Sequence, residues 1–83
     1  MYAIEYSFYI ESAKKHLESR KRKNLTLEDV KDKLKQLQYD NCSGKHIGTL
    51  TKDGMIVYSN GDECTFQIYY NGKFCKKYSR GVK

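Results

Sequence analysis

The sequence predicts an α+β fold: two amino-terminal helices packed on a carboxy-terminal four-stranded antiparallel meander, in a single domain over residues 1–83. Three observations support this fold class. Apolar residues recur at helical spacing up to residue 37, apolar and polar residues alternate beyond residue 46, and three glycine-containing turn pairs divide the alternating part. The length, with 39% hydrophobic and 31% charged residues, is typical of a globular chain with one modest core.

The first segment, residues 2–23, has two interpretations. A helix gathers apolar side chains on one narrow face, namely Tyr2, Tyr6, Tyr9, Ile10, Ala13 and Leu17. A strand over residues 2–10 alternates instead, with residue types that favour strands, as Tyr2, Ile4, Tyr6, Phe8 and Ile10. We favour the helix because it explains the longer stretch, and we keep a strand over residues 2–10 as the alternative.

The two interpretations differ most at Ile4 and Phe8. A helix leaves this i,i+4 pair off the apolar stripe, where it is a possible interface with a second copy of the chain or with the biological target. A strand places both side chains in the core. The pair therefore distinguishes an interface from a core position.

The second helix begins after Thr26, which is a good N-cap residue. Asp29 stands three residues later, close to a capping box, and Leu25 and Val30 are spaced for a hydrophobic staple. We expect the helix to end between Asn41 and Gly44. Its apolar stripe is Leu27, Val30, Leu34 and Leu37.

From His46 the period changes to two. The pairs Asp53-Gly54, Asn60-Gly61 and Asn71-Gly72 favour tight hairpin turns and predict strands near 46–52, 55–59, 63–70 and 73–78. Treated as two-residue loops, they place Leu50 opposite Val57, Val57 opposite Cys64, and Tyr70 opposite Lys73. The predicted core face is Leu50, Met55, Val57, Cys64, Phe66, Ile68 and Tyr70. The predicted opposite face is Thr49, Thr51, Ile56, Tyr58, Thr65, Gln67, Tyr69, Phe74, Lys76 and Tyr78.

Catalytic and cofactor signals are weak. His16 and His46 have no serine or cysteine at a recognisable spacing, and no glycine-rich phosphate loop is present. The three cysteines are an odd number without the close spacing of zinc ligands. We expect no enzyme activity, no cofactor and no metal site. Without a membrane-length apolar run or a signal-peptide core, we expect a cytoplasmic protein that does not bind membranes.

Binding is the better-supported role. A net charge of +6 favours polyanionic partners. The opposite sheet face combines aromatic rings with cations, which suits single-stranded nucleic acid; a protein interface and a covered core face remain alternatives. The candidate partner- or nucleic-acid-binding residues are Tyr58, Tyr69, Lys73, Phe74, Lys76, Lys77, Tyr78 and Arg80. A secondary basic site is Arg20, Lys21, Arg22 and Lys23, which is either a solvated helix end or a phosphate clamp on the same side.

Two resemblances bear on function. The segment from Tyr69 to Lys73, followed by Lys76 and Lys77, resembles the strand–Asn-Gly-Lys–strand hairpin of AP2-like DNA-binding domains of phage integrases, which implies a sheet that reads a DNA groove. As a short chain rich in Lys and Tyr, without a catalytic motif, the protein also resembles phage and mobile-element accessory proteins of the anti-CRISPR kind. That resemblance implies a non-enzymatic inhibitor that occupies a surface of a host nucleoprotein complex in the host cytoplasm.

Inhibition of a host nucleoprotein or other protein target is the leading expectation. A direct DNA- or RNA-binding accessory factor is the alternative, and a homodimeric interaction module is a third possibility.

Overall fold

The computed structural model describes residues 1–39, 44 and 46–78. Within them, one α-helix packs against an antiparallel sheet of seven strands. The elements in chain order are β1 (Tyr2–Ile10), β2 (Lys15–His16), β3 (Arg20–Leu25), α1 (Leu27–Tyr39), β4 (Gly48–Leu50), β5 (Met55–Tyr58), β6 (Glu63–Tyr70) and β7 (Lys73–Phe74), followed by a 3₁₀ turn over Lys76–Tyr78.

The centre of the sheet is the pair β1–β6, which is joined from Tyr2↔Tyr70 to Tyr9↔Glu63. The short strands β2 and β3 lie end to end along the outer side of β1. On the other side of β6, β5 and β7 also lie end to end, and β4 forms the edge beyond β5. The first strand of the sequence therefore has neighbours on both sides.

The predicted arrangement of two helices on a four-stranded meander is wrong, because residues 2–10 form a strand and not a helix. The alternation of the sequence decides the matter: Ile4, Tyr6 and Phe8 all point to the face that α1 covers, and Ile4 is 0% and Phe8 5% exposed. The strand interpretation of residues 2–10, kept as the alternative, is the one that the structure has. Beyond residue 10 the helical interpretation of residues 2–23 is also wrong, because Lys15–His16 form β2 and Arg20–Leu25 form β3.

The second predicted helix is confirmed as α1. Thr26 and Asp29 exchange hydrogen bonds: the Thr26 backbone N–H donates to Asp29 Oδ2 (3.0 Å) and the Asp29 N–H donates to Thr26 Oγ1 (3.1 Å). This reciprocal pair is a capping box with aspartate in place of glutamate. The side chains of Val30, Leu34 and Leu37 are buried against the sheet. The helix is described to Tyr39, and its predicted end between Asn41 and Gly44 lies, apart from Gly44, outside the described residues.

One of the three predicted turns has the expected length. Tyr70 pairs with Lys73, and both turn residues have positive φ, 50° at Asn71 and 82° at Gly72. Positive φ at both central positions is the type I′ geometry that Asn-Gly favours.

The other two turns are one residue longer than predicted. Thr51 N–H donates to the Met55 carbonyl, and Tyr58 N–H donates to the Asp62 carbonyl, so each loop has three residues. Gly54 and Gly61 end these loops with φ of 78° and 91°, as expected of a type I turn closed by a left-handed glycine.

The longer loops reverse β5, because a shift of one residue turns every side chain to the other face. Ile56, and not Val57, pairs with Cys64. Ile56 and Tyr58 are therefore buried, whereas Val57 is 37% exposed, so the predicted faces of Met55, Ile56, Val57 and Tyr58 are wrong. Cys64, Phe66 and Ile68 are core residues as predicted, but Tyr70 at the end of β6 is 48% exposed.

The core lies between α1 and one face of the sheet. The Tyr58 hydroxyl crosses it and donates to the Leu37 carbonyl in the last turn of α1, where backbone carbonyls have no partner within the helix. Within the described residues no helix covers the opposite face of the sheet.

Candidate functional site

The uncovered side of the sheet, here called the open face, carries the residues that alternate with the core positions. Cross-strand partners share a face, so the register Phe74–Tyr69–Ala3 forms one row and Gln67–Glu5–Lys21 forms the next. The members of the open face that matter below are Ala3, Glu5, Ser7, Lys21, Met55, Thr65, Gln67, Tyr69 and Phe74.

Two aromatic rings meet on the open face. Tyr69 and Phe74 have ring centroids 6.1 Å apart with an interplanar angle of 73°, an edge-to-face contact. The Tyr69 hydroxyl donates to Gln67 Oε1 at 2.8 Å, which directs the ring along β6. Phe74 is 51% exposed. The pair is thus oriented by the protein and still accessible to a ligand.

A cation lies over the same tyrosine. Lys21 Nζ is 5.1 Å from the Tyr69 ring centroid, within cation–π range. The ion pair found among the described residues joins Lys14 to Glu11. In that part of the chain Lys21 therefore makes no ion pair within 4 Å, although Glu5 is its cross-strand partner. On the central strand, Ala3 lies level with Tyr69 and Glu5 lies level with Lys21.

The small Ala3 side chain leaves a concavity of about 390 Å³ at this end of the open face, here called the basic groove. Its walls include Tyr69 on one side and Lys21, Lys23 and Asn24 on the other. A second concavity of about 450 Å³ follows along the sheet, here called the acidic groove. It is lined by Glu5, Ser7, Asp53, Met55, Thr65 and Gln67, among others.

The two grooves give the open face a charge gradient along its strands. Lysines border the basic groove, and the carboxylates of Glu5 and Asp53 border the acidic one. In the acidic groove the hydroxyls of Ser7 and Thr65 are hydrogen-bonded to each other at 2.9 Å. The basic groove can hold a planar, anionic group between ring and ammonium, and the acidic groove can accept hydrogen bonds from an amino group.

The predicted aromatic and basic residues are only partly brought together. Tyr69 and Phe74 are adjacent on the open face. Tyr58 is not on it, because the one-residue shift of β5 places it in the core at 2% exposure. Lys73 is exposed opposite Tyr70, on the other side of the β6–β7 hairpin. Arg80 lies outside the described residues.

The carboxy-terminal members of the predicted set surround a different aromatic group. Lys76 and Lys77 are exposed on the 3₁₀ turn, and Lys77 Nζ is 5.4 Å from the Tyr78 ring centroid. Tyr78 and Tyr70 both pack on Tyr2, with centroids 6.2 Å and 4.7 Å away. Burial, and then the neighbouring Tyr78 and Tyr70 hydroxyls, raise the pKa of Tyr2 above its ordinary value. This cluster fastens the 3₁₀ turn to β1.

The run from Arg20 to Lys23 lies on the exposed edge strand β3 and not at a helix end. Arg20 pairs with Tyr6 and therefore lies on the side of α1, whereas Lys21 pairs with Glu5 on the open face. Lys21 and Lys23 are the members that line the basic groove.

Two further placements differ from the sequence-based expectations. Ile4 and Phe8, a possible interface under the helical interpretation, are core residues and are not available to a partner. The contact of Lys21 with Tyr69 was missed, because residues 20–23 were assigned to a helix. The strand interpretation of residues 2–10 was the available signal, because a strand there can pair with the residues that follow it in a hairpin and so bring Lys21 beside β1.

Within the described residues no group of three or more His, Cys, Asp or Glu side chains is arranged to hold a metal ion. His16 instead contacts the Tyr9 ring, with centroids 4.7 Å apart. In the same part of the chain no helix has the length and apolar character needed to cross a membrane.

Comparison of the chain with protein-family models, with curated proteins and with solved structures gave no match.

Proposed function

We propose that this protein is a non-enzymatic binder of single-stranded nucleic acid and that the basic end of the open face holds the ligand. The observation that supports the proposal best is the position of Tyr69, which has Phe74 at its edge and the Lys21 ammonium over its ring, on the uncovered face of the sheet. Single-strand binding sites combine these two elements: aromatic rings for bases and cations for the phosphate backbone.

Stacking supplies the first part of the interaction. A base that lies on the Tyr69 ring, with Phe74 at the ring's edge, gains about 1–3 kcal/mol by stacking. Little ordering is needed for this, because the Gln67 hydrogen bond already holds the tyrosine ring along the strand. A duplex keeps its bases stacked on one another, so the site favours a single strand.

Charge supplies the second part. Lys21 and Lys23 border the basic groove beside the ring, where the phosphate of a nucleotide whose base is stacked on Tyr69 would lie. When a base takes the ring face, the Lys21 ammonium moves to the phosphate and exchanges a cation–π contact for a charge-assisted hydrogen bond. The carboxylates of the adjacent acidic groove repel phosphates, so we expect the binding site to extend over only a few nucleotides.

A second candidate is inhibition of a host nucleoprotein complex, as the resemblance to anti-CRISPR proteins implies. The acidic groove favours it, since Glu5 and Asp53 offer carboxylates to a basic protein surface that otherwise binds nucleic acid. For either role we propose a cytoplasmic site of action. The free thiol of Cys75 suits a reducing compartment.

Fluorescence anisotropy with labelled ten-nucleotide single strands and the matching duplex tests the first proposal. We expect Tyr69→Ala to weaken single-strand binding about 5- to 150-fold, the equivalent of one stacked base, and Phe74→Ala, which removes the ring at its edge, to weaken binding less. Replacing Lys21 and Lys23 by alanine should reduce the slope of log K against log salt by about 1.4. The single variant Lys21→Ala should reduce it by about 0.7, and its matched control is Lys35→Ala, which removes one positive charge from the exposed side of α1.

No single-strand binding at low salt contradicts this proposal, as does a Lys35→Ala effect equal to that of Lys21→Ala. A pull-down from host lysate, with and without nuclease, separates the two candidates. A partner that is retained after nuclease treatment supports the inhibitor, and one that is lost supports direct binding.

A further inference from the structure

We infer that the nucleic-acid site selects cytosine and adenine over uracil and thymine, and that the Glu5 carboxylate is the group that selects them. This inference rests on the proposed function and deepens it. Its basis is the position of Glu5 and Gln67 one row beyond the ring on which the base would stack.

The direction of the Tyr69 ring sets the geometry. Tyr69 is level with Ala3, and Gln67 is level with Glu5. Rows on one face of a sheet are about 6.8 Å apart, since side chains alternate. The hydrogen bond from the Tyr69 hydroxyl to Gln67 Oε1 shows that the ring spans this interval. A base stacked on the ring therefore has one edge over the row of Glu5 and Gln67.

The polar groups in that row have a defined character. Glu5 lines the acidic groove and is partly exposed. At neutral pH its carboxylate only accepts hydrogen bonds. Gln67 already uses its side-chain oxygen to accept the Tyr69 hydroxyl, so the group that it turns to a ligand is its amide N–H₂, a donor. Lys21, the third member of the row, has its ammonium over the Tyr69 ring and moves to the phosphate in the proposed complex. Glu5 and Gln67 thus offer one acceptor and one donor to a base edge.

Cytosine complements this row, because its N4 amino group donates and its neighbouring N3 accepts. Adenine does the same with N6 and N1. A uracil or thymine stacked in the same position places its O4 against the Glu5 carboxylate and its N3–H against the Gln67 amide N–H₂, so neither hydrogen bond forms unless the base slides along the row and loses part of its overlap with the ring. Cytosine and adenine are therefore favoured over uracil and thymine.

The test compares two oligonucleotides that differ in little else. Ten-nucleotide oligocytidylate and oligouridylate are measured by fluorescence anisotropy against the full chain, and we expect oligocytidylate to bind about tenfold more tightly. Glu5→Gln should bring the ratio close to one, because an amide can donate to the uracil oxygen. Glu5→Asp, which keeps the charge but shortens the side chain, should also reduce the ratio.

The control is Glu63→Gln. Glu63 pairs with Tyr9 at the far end of the open face, so this variant changes the net charge equally without touching the base edge. It should alter both affinities together and keep their ratio. A ratio near one in the unchanged protein, with binding still weakened by Phe74→Ala, overturns the inference and leaves the proposed function standing. A preference for oligocytidylate that persists in Glu5→Gln also overturns it. If neither oligonucleotide binds, the result overturns both this inference and the proposed function.

Discussion

Replacing Gly48 by alanine tests how closely the edge strand β4 packs on the core. A Cβ at Gly48 would lie well inside van der Waals distance of Ile56 Cγ2 and 3.0 Å from two carbons of the Tyr58 ring. Both neighbours are buried, and the Tyr58 hydroxyl is tied to the Leu37 carbonyl of α1. Neither side chain can turn into solvent, so β4 itself has to move outward.

The expected change in the free energy of unfolding combines two opposing effects. Overpacking of a filled core costs about 1–3 kcal/mol. Alanine in place of glycine also stiffens the unfolded chain, which stabilises a protein by about 0.4–1 kcal/mol where the native backbone accepts it. The two ranges leave a net change between about zero and a loss of about 2.6 kcal/mol. The deep overlap with Ile56 Cγ2 places Gly48→Ala in the upper half of this range, a loss of about 1.3–2.6 kcal/mol. In a domain of this size each kcal/mol lowers Tm by about 4–8 °C.

Thermal unfolding followed by circular dichroism measures this shift. Thr49→Ala is the matched control, because Thr49 is the next residue of the same strand and its side chain is exposed. It should change Tm by no more than a few degrees, as surface substitutions usually contribute within about 0.5 kcal/mol. A Gly48→Ala variant with unchanged or raised Tm would show that neither the packing nor the backbone at this position requires glycine and that β4 packs loosely.

Three further predictions concern the core and the helix. Tyr58→Phe removes the hydroxyl that satisfies the Leu37 carbonyl and should lower the free energy of unfolding in urea by about 0.5–1.5 kcal/mol; no change would mean that water replaces the hydroxyl. Ile4→Ser combined with Phe8→Ser should abolish the folded circular dichroism spectrum, and a folded double variant would contradict the central place of β1. Hydrogen bonds from the backbone and hydroxyl of its capping partner hold the pKa of Asp29 below its ordinary value. Its contribution is therefore complete above the unfolded pKa, near 3.9, and is lost as pH falls through the folded pKa. Between pH 5 and 3 the Asp29→Asn variant should lose less stability than the unchanged protein, and equal losses would contradict the capping role.

The helix α1 could be predicted from sequence because its signals are local. The capping residues, the staple and the apolar stripe all lie within Leu25–Tyr39 and agree with one another. The segment before it lacked such agreement, because Tyr2, Tyr6 and Ile10 fit a helical stripe and an alternating strand equally. Whether this segment becomes a strand depends on β6, which pairs with β1 beside both Ile4 and Phe8. The partner residues in β6 are more than fifty positions away in the sequence. Local patterns carry no information about that partner.

Turn length was the second limit. Asn60-Gly61 and Asn71-Gly72 have the same residues but form loops of different length. Asn60 Oδ1 accepts the Asp62 N–H and its Nδ2 donates to Asp62 Oδ2, which holds Asn60 in a local side-chain turn and leaves Gly61 alone with positive φ. Asp62, which follows Asn60-Gly61, thus determines the length of this loop. The one extra residue in the loop is enough to exchange the two faces of β5.

For the candidate site, the aromatic and basic residues could be predicted from the sequence, but most of the contacts between them could not. Tyr69 and Phe74 were found because the Asn71-Gly72 hairpin fixes their pairing from residues a few positions apart. Lys21 was recognised as cationic and placed on the wrong element. Its position over Tyr69 depends on two strand pairings at once, β3 with β1 and β1 with β6.

The central place of β1 has a consequence for biosynthesis. Ile4 and Ile68 are neighbours across the β1–β6 pair, but 64 residues separate them along the chain. At ribosomal rates of about 5–20 residues per second, β1 waits roughly 3–13 s for its main partner to be made. During that interval the hairpin of β1 with β2 and β3 can form from nearby residues, but the apolar side that β6 and α1 will share stays open to water. Cotranslational folding is thus limited by the arrival of β6, and a chaperone that binds short apolar strands would find its target in residues 2–10 of the nascent chain.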